Sequence, residues 1–495
     1  METASGIRFD FSAWACSFPR AIIVASVAIL VPAVAAALTP PGQALVDSAQ
    51  NPNQQSMAVS VANLCPQMSA LNSAGPDGAS LLSQSEQELF FRCREVLNAT
   101  PDSTNSKPEV LEQLTSDELT AGQRATLNYG TVQRANIASR LLVIRRGSGA
   151  TVAFNGGQDA GWLAAQGGAA GDAAGFAEGR LGIFINGSMG SGDKDQTDFE
   201  SGYDVDTQSL TAGVDYRFSS SFVAGAAFGY GTSEADYDGG GGFDSDGING
   251  SLYASFYGEH AYLNFLGSYG QVDHDLTRRI AYSVTCIVAE PPANKCPNQE
   301  SGVVTVDANA TGSTSSDIIS LGADFGYALF DGPFSFTPMA AVSFVEVDLD
   351  GFSEKNAGSQ NELALAYDSQ KADSLELQFG FSAGYTRSVS WGVLAPYGRM
   401  MIVREMRDSR QVFDAHYVFD PCFQTSRCGA AVTDPNQTGI RIYSDKPDTG
   451  FYRWALGLSA VFANGFGAFA EYEGLADYDT VSYGVATVGV RYQFR

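Results

Sequence analysis

The side chains of this 495-residue chain with the most chemical scope are its seven cysteines, three histidines and 55 carboxylates. Cys16 stands apart, with no lipobox around it. The other six fall as close pairs: Cys65 with Cys93, Cys286 with Cys296, and Cys422 with Cys428. Locally paired cysteines in even number read as three disulfides, the chemistry of an oxidising compartment. A zinc site would need tighter spacing, yet no Cys-x2-Cys occurs and His260, His274 and His416 are scattered. The G-x-S-x-G match Gly380-Phe381-Ser382-Ala383-Gly384 lies inside a period-two run rather than at a strand-to-helix elbow, and the chain lacks a Gly-Asp-Ser-Leu esterase motif, H-E-x-x-H and a phosphate loop. Asp236-Tyr237-Asp238 and Asp244-Ser245-Asp246-Gly247 hint at calcium, but without the closing glutamate of an EF-hand. These residues predict no catalytic centre, no metal and no cofactor, so the chain does not read as an enzyme.

Charge narrows the partners. A formal net charge of -26 repels phosphate and argues against nucleic acid. It fits a solvated acidic surface, or one bridged by divalent cations to an anionic lipid surface. Arg8 and Arg20 precede the apolar run from Ala21 to Val31, and small residues ending in Ala35-Ala36-Ala37 follow. That order predicts a signal peptide over 1–37, in agreement with the cysteines.

Behind it, 38–110 reads as a small helical, passenger-like region. Met57, Val59, Val61, Leu64 and Met68 recur at near-helical spacing, as do Leu89, Phe90, Phe91 and Val96. Cys65 and Cys93 would staple these two helices. The 111–147 stretch predicts a longer helix, started at Ser116-Asp117-Glu118 and stopped at Gly147. The Gly- and Ala-rich 148–175 reads as a linker.

From 176 to 495 the period changes to two. Leu375, Leu377, Phe379, Phe381 and Tyr385 make one face, and Glu376, Gln378, Gly380, Ser382 and Gly384 the other. Ile319 to Leu329 and Tyr452 to Phe462 repeat the scheme. No second layer of elements is available to cover the apolar face, which suits lipid, while small residues suit a narrow lumen. Short turns are expected near 219–220, 259–260, 331–333, 388–390 and 464–465. Long connectors are expected near 191–203, 237–247, 276–314, 350–371, 409–449 and 474–480. This alternation predicts an all-β membrane barrel of about 12 antiparallel strands, preceded by the small α-helical region and a pore helix.

The chain ends Thr487-Val488-Gly489-Val490-Arg491-Tyr492-Gln493-Phe494-Arg495. Thr487, Gly489, Tyr492 and Phe494 match the C-terminal signal read by the outer-membrane barrel-assembly machinery. Leu181-Gly182-Ile183-Phe184-Ile185-Asn186-Gly187, Leu210 to Phe218 and Phe469 to Leu475 resemble the first, second and eleventh strands of the autotransporter β-domain family. Ala138-Ser139-Arg140-Leu141 resembles the helix before them. At Pro396-Tyr397-Gly398-Arg399 the chain departs from the family, with Met401 where an acidic residue is common.

The resemblance implies a self-secretion translocator in the outer membrane with an α-helix in its pore. On it rests the expectation that Arg134, Arg140 and Arg145 meet lumen carboxylates among Asp215, Asp324, Glu376, Glu471 and Glu473. The expected partners are outer-membrane lipid and lipopolysaccharide, the assembly machinery, periplasmic chaperones and, for a displayed adhesin, a host-surface ligand. The competing reading is an outer-membrane channel or structural barrel whose helical region stays periplasmic.

Overall fold

The computed structural model describes residues 38–99, 105–116, 119–120, 124, 127, 130, 136–137, 141, 180–286, 302–356, 363–425, 427–428, 435–462 and 466–494. The expected signal peptide, the linker, Cys296 and Arg134, Arg140 and Arg145 lie outside the described residues.

Twelve long antiparallel strands form a closed barrel. They are β1 (Leu181–Lys194), β2 (Tyr203–Ser219), β3 (Phe222–Tyr237), β4 (Gly241–Tyr257), β5 (Ala261–Cys286) and β6 (Gly302–Tyr327), then β7 (Phe334–Leu349), β8 (Gln370–Tyr385), β9 (Gly392–Glu405), β10 (Gly450–Phe462), β11 (Phe466–Ala476) and β12 (Val481–Gln493). Neighbours in sequence pair throughout, and β1 closes on β12 from Gly182↔Gln493 to Lys194↔Val481. Closure satisfies both edges, so no strand is left open within the barrel's own height.

The predicted alternation holds. Outward-facing Leu252, Phe379, Leu456 and Val488 are more than half exposed, whereas inward Ser320, Ser382, Arg453 and Ser459 are buried. Aromatic rings gather where the short turns lie: Tyr216, Phe218, Phe222, Phe256 and Phe265 run as a chain of ring contacts across four strands. Trp391, Phe462 and Phe466 continue it, and Tyr492 meets Phe494 edge-on. Such a girdle marks a lipid–water boundary. Among the described residues no helix is long and apolar enough to cross a membrane.

Three connectors differ from expectation, and the one expected over 474–480 is the four residues 477–480 between β11 and β12. The loop expected over 237–247 is a three-residue turn between β3 and β4, where Gly240 and Gly241 take φ of 86° and 92°. Glycine alone enters that region without strain, so the run that looked like a loop tightens a hairpin. Asp236 and the Asp244-Ser245-Asp246-Gly247 segment therefore lie in paired strands, with Asp238 in the turn. Likewise β5 and β6 stay paired as far as Cys286↔Gly302, well past the barrel's rim. The remaining long connectors carry a second sheet of four short strands, ordered Ile440–Tyr443, Val412–Tyr417, Leu365–Tyr367 and Phe352–Ser353.

Among the described residues four continuous α-helices precede the barrel: α1 (Pro40–Val46), α2 (Pro52–Leu71), α3 (Gln84–Asn98) and α4 (Lys107–Leu114). Each starts where a side chain caps free N–H groups. Asn51 Oδ1 accepts from Gln54 N, and Ser83 with Glu86 forms a capping box on α3. Cys65 and Cys93 join α2 to α3, and Cys422 joins Cys428 in the β9–β10 connector. The helices do not form a core of their own. Met57, Val61, Leu64, Phe90 and Leu111 share one apolar cluster with Tyr282, Val284, Phe413, Tyr417 and Ile442 from the long-connector end.

Candidate functional site

The lumen is the site. Small inward residues leave a bore, and the helical positions between 119 and 141 occupy it. At the long-connector mouth the Arg124 guanidinium lies 3.1 Å from Glu200 Oε1 and donates to the Asp445 carbonyl oxygen. Lys194, fully buried, meets Glu200 at 3.3 Å and Asp445 at 2.9 Å. Deeper, Leu127 packs on Ile318, Val345 and Val347. Gly130 touches the same wall: a Cβ there would stand 2.8 Å from both Ile318 Cδ1 and Ser320 Oγ.

Asn136 is held at mid-barrel. Its Nδ2 donates to Ser209 Oγ and Thr211 Oγ1, both at 3.2 Å, and its Oδ1 accepts from Ser188 Oγ at 2.7 Å. Asn186 Nδ2 donates to its backbone oxygen at 3.0 Å. Ile137 and Leu141 then fill an apolar floor of Phe184, Val223, Ala227, Tyr253, Tyr257 and Tyr262 at the short-turn end. From Arg124 to Leu141 a helix rises about 26 Å, close to the roughly 30 Å of a hydrocarbon core.

The far wall holds the charges. Arg399 reaches Glu471 at 3.3 Å and Glu473 at 2.6 Å, and Tyr397 Oη donates to Glu471 at 2.7 Å. Arg453 grips Glu376 with two bonds of 3.2 Å and lies 3.5 Å from Glu473. Of the five predicted carboxylates, these three thus cluster. Asp324 lies apart, accepting from Asn264 Nδ2 at 2.7 Å, and Asp215 sits near the floor, where Tyr253 Oη reaches it at 3.4 Å. The sequence reading missed Arg399 and Arg453 as partners, although strict alternation already placed Arg453 on the inner face. It also missed Arg124, the cation of the helical stretch that meets the mouth. A cavity of about 240 Å³ remains beside the helix there, between Arg124, Tyr203, Glu376, Arg453 and Tyr478.

Higher still, a buried clamp holds the start of the helical stretch. Arg278 bonds both oxygens of Glu354 at 3.0 and 2.6 Å. Tyr367 Oη lies 2.9 Å from the same carboxylate and 2.6 Å from Ser116 Oγ. One histidine cluster resembles a nucleophile with its base: Ser245 Oγ is 2.7 Å from His274 Nδ1, and Ser316 Oγ is 2.9 Å from Nε2. All three are buried in the wall, out of reach of a substrate. Among the described residues no group of three or more His, Cys, Asp or Glu could hold a metal ion.

The terminal residues sit at the seam. Thr487 faces inward, bonded to Ser188 at 3.0 Å, and Gly489 pairs with Asn186. Tyr492 pairs with Ile183, and Phe494 N donates to Leu181 O at 3.1 Å.

Comparison with known proteins agrees with this architecture. The family described as autotransporter beta-domain matches residues 183–473. Two curated relatives, each called esterase EstA, from Pseudomonas aeruginosa and Pseudomonas putida, are 26% identical over 237 residues. The alignment covers 46% of this chain and 32% of theirs, so the chain spans about a third of their length. Among solved structures, the translocator domain of NalP from Neisseria meningitidis is 16% identical with a TM-score of 0.45, over 63% of this chain and 88% of its own. The beta domain of the Bordetella autotransporter Brka is 18% identical with a TM-score of 0.39, over 64% and 100%. The family match spans more than half of the sequence, so this chain belongs to the autotransporter β-domain family of outer-membrane barrels.

Proposed function

We propose that the barrel passes its own N-terminal segment to the cell surface and keeps it there, with the helical positions between 119 and 141 left in the lumen as the tether. The observation that carries this reading is the path of the helical positions. Arg124 is held at the long-connector mouth and Leu141 at the short-turn floor. A chain that starts outside and returns to the periplasmic end before entering β1 has already crossed. In this reading 1–37 is the export signal, 38–110 the passenger-like region, 111–147 the tether, 148–175 the return linker and 176–495 the translocator. Thr487, Gly489, Tyr492 and Phe494 supply the assembly signal. Periplasmic chaperones, the barrel-assembly machinery and lipopolysaccharide are its partners during insertion, and a host-surface ligand is the partner that display would add. Arg134, Arg140 and Arg145 add positive charge to a tether facing the Glu376, Glu471 and Glu473 cluster.

We assign the chain no catalysis. The match to the relatives named esterase covers about a third of their length, and the sequence has no Gly-Asp-Ser-Leu motif. Hydrolysis of a short-chain aryl ester by the purified barrel would contradict that assignment.

The deciding experiment is an epitope placed in the exposed Pro76–Gly78 turn between α2 and α3. Antibody should label it on intact cells. Labelling only after the outer membrane is permeabilised would establish instead the periplasmic helical region of a channel or structural barrel.

A further inference from the structure

We infer that the outer connectors form a receptor surface for helices α1–α3, which stay bound as a non-covalent cap even when the chain behind them is cut. This rests on the reading that 38–114 lies at the cell surface.

The case starts from two strand edges that the barrel does not close. β4 accompanies β5 only as far as Gly241↔Arg278, whereas β6 follows it to Cys286. Beyond residue 278, β5 therefore has a neighbour on one side. The second edge is Ile440–Tyr443, the outermost strand of the small sheet. Open edges expose rows of backbone donors and acceptors, and a buried one needs partners.

The helical region supplies those partners with side chains. At Ile440–Tyr443, Tyr443 N donates to Asn53 Oδ1 at 2.7 Å, and Asn53 Nδ2 donates back to Tyr443 O at 3.0 Å. One amide thus reproduces both bonds of an antiparallel neighbour. Two residues away Arg441 N donates to Ser56 Oγ at 2.6 Å. The β5 edge is treated alike: Ser283 N donates to Asn105 Oδ1 at 2.7 Å, Asn105 N to Ser283 O at 3.0 Å, and Ala281 N to Gln113 Oε1 at 3.1 Å. Alternate backbone groups are served in both cases, as strand geometry requires.

Around these bonds the surface is apolar and closed. Tyr417 Oη reaches Met57 Sδ at 3.1 Å, and Ser60 Oγ donates to Thr438 O at 2.5 Å in a buried setting. Arg427 bonds Glu86 and the carbonyl oxygen of Leu81. A helix that merely rested on the barrel would not match the Ile440–Tyr443 edge group for group, and Asn105 and Gln113, which serve the β5 edge, stay with the barrel when the chain is cut ahead of them. The connectors are completed by the helices, and the helices lack a separate core, so each part stabilises the other.

The test is a site-specific protease sequence with glycine-serine spacers inserted between Ala99 and Asn105, lengthened until the purified, folded protein is cut. After cutting on intact cells, the 38–99 fragment should sediment with the cells and leave only in denaturant. Its appearance in the medium at neutral pH would overturn the inference. Cutting confined to permeabilised cells would instead defeat the surface reading on which the inference rests. A companion variant, Asn53→Leu with Ser60→Leu, removes the amide mimic and its neighbour. In cut protein it should lose the fragment at least about tenfold faster, while the barrel's heat-modifiability is unchanged. Equal retention in that variant would show that edge matching does not hold the cap.

Discussion

At the scale of single residues, the lumen charges work as a set. Arg399 serves Glu471 and Glu473, while Arg453 serves Glu376 and Glu473. Arg399→Met should therefore cost roughly 3–5 kcal/mol, the usual penalty for stranding buried carboxylates. Urea titration of the heat-modifiable band would measure it, and a drop under about 1 kcal/mol would mean that water already screens these groups. Outside the membrane, His416 stacks on Phe423 with ring centroids 3.7 Å apart. Burial holds its imidazole below the usual 6.5, against a smaller opposing pull from Asp368. The folded state thus binds this proton less readily than the unfolded one, and stability falls as pH drops through 6.5 toward the lowered value. Glu95 and Asp420, whose carboxyls burial pushes up, act in the opposite direction. The difference between wild type and His416→Phe isolates the histidine. Between pH 7.5 and 5 retention of the cut cap should fall in wild type relative to the variant, and parallel curves would remove the histidine from this account.

At the scale of elements, the tether depends on close fit rather than on charge. Gly130 faces Ile318 and Ser320 with no room for a side chain, so Gly130→Leu should overpack the helix by about 1–3 kcal/mol. Asn136→Leu removes the amide that Ser188, Ser209 and Thr211 bond, at a cost of about 1–3 kcal/mol, while Asn186 keeps the backbone oxygen it donates to. Either change should raise single-channel conductance in planar bilayers, because the helix then leaves its seat. A lumen equally closed in both variants would show that the connectors, not the tether, seal it. The strands were legible in advance because lipid and lumen impose opposite demands on successive residues, as at Phe379 and Ser382. Connector lengths were less so, since Gly240 and Gly241 look the same in sequence whether they loosen a loop or tighten a hairpin. The site was legible only in part. Alternation located Glu376 and Arg453 on one face, but their partnership is set by barrel closure, which brings β8 and β10 to either side of β9. The roles of Asn53 and Asn105 left no trace in sequence, because a polar residue on or beside a helix ordinarily faces water.

At the scale of the whole molecule, the net charge of -26 has a definite address. On the outer face, strand register sets carboxylates directly opposite one another: Asp204↔Asp236, Asp206↔Glu234, Glu234↔Asp244, Asp244↔Asp275 and Asp246↔Asp273. Asp317↔Asp348 and Glu346↔Asp373 extend the row, where Lys371 and Arg407 partly neutralise it. Among the described residues no cation pairs with Asp204, Asp206, Glu234, Asp236, Asp244, Asp246 or Asp273. The row lies just beyond outward Tyr230, Ile248 and Ile319, so it ends the lipid-facing band. Along β4, Phe256 to Ile248 spans about 20 Å of height at a strand tilt of about 40°, near the roughly 25 Å expected of such a band. Charge there fixes the depth of the barrel, because sinking the row into lipid is unfavourable, but directly opposed like charges weaken the strands that carry it. The Debye length falls from about 30 Å at 0.01 M salt to about 3 Å at 1 M. Raising sodium chloride over that range should therefore raise the unfolding temperature of the purified barrel in detergent. Glu234→Gln with Asp244→Asn, which breaks the row at its centre, should raise it at low salt and do nothing at high salt. A variant that gained the same stability at both salt concentrations would locate the effect in packing or strand propensity, and the row would then be a marker of depth alone.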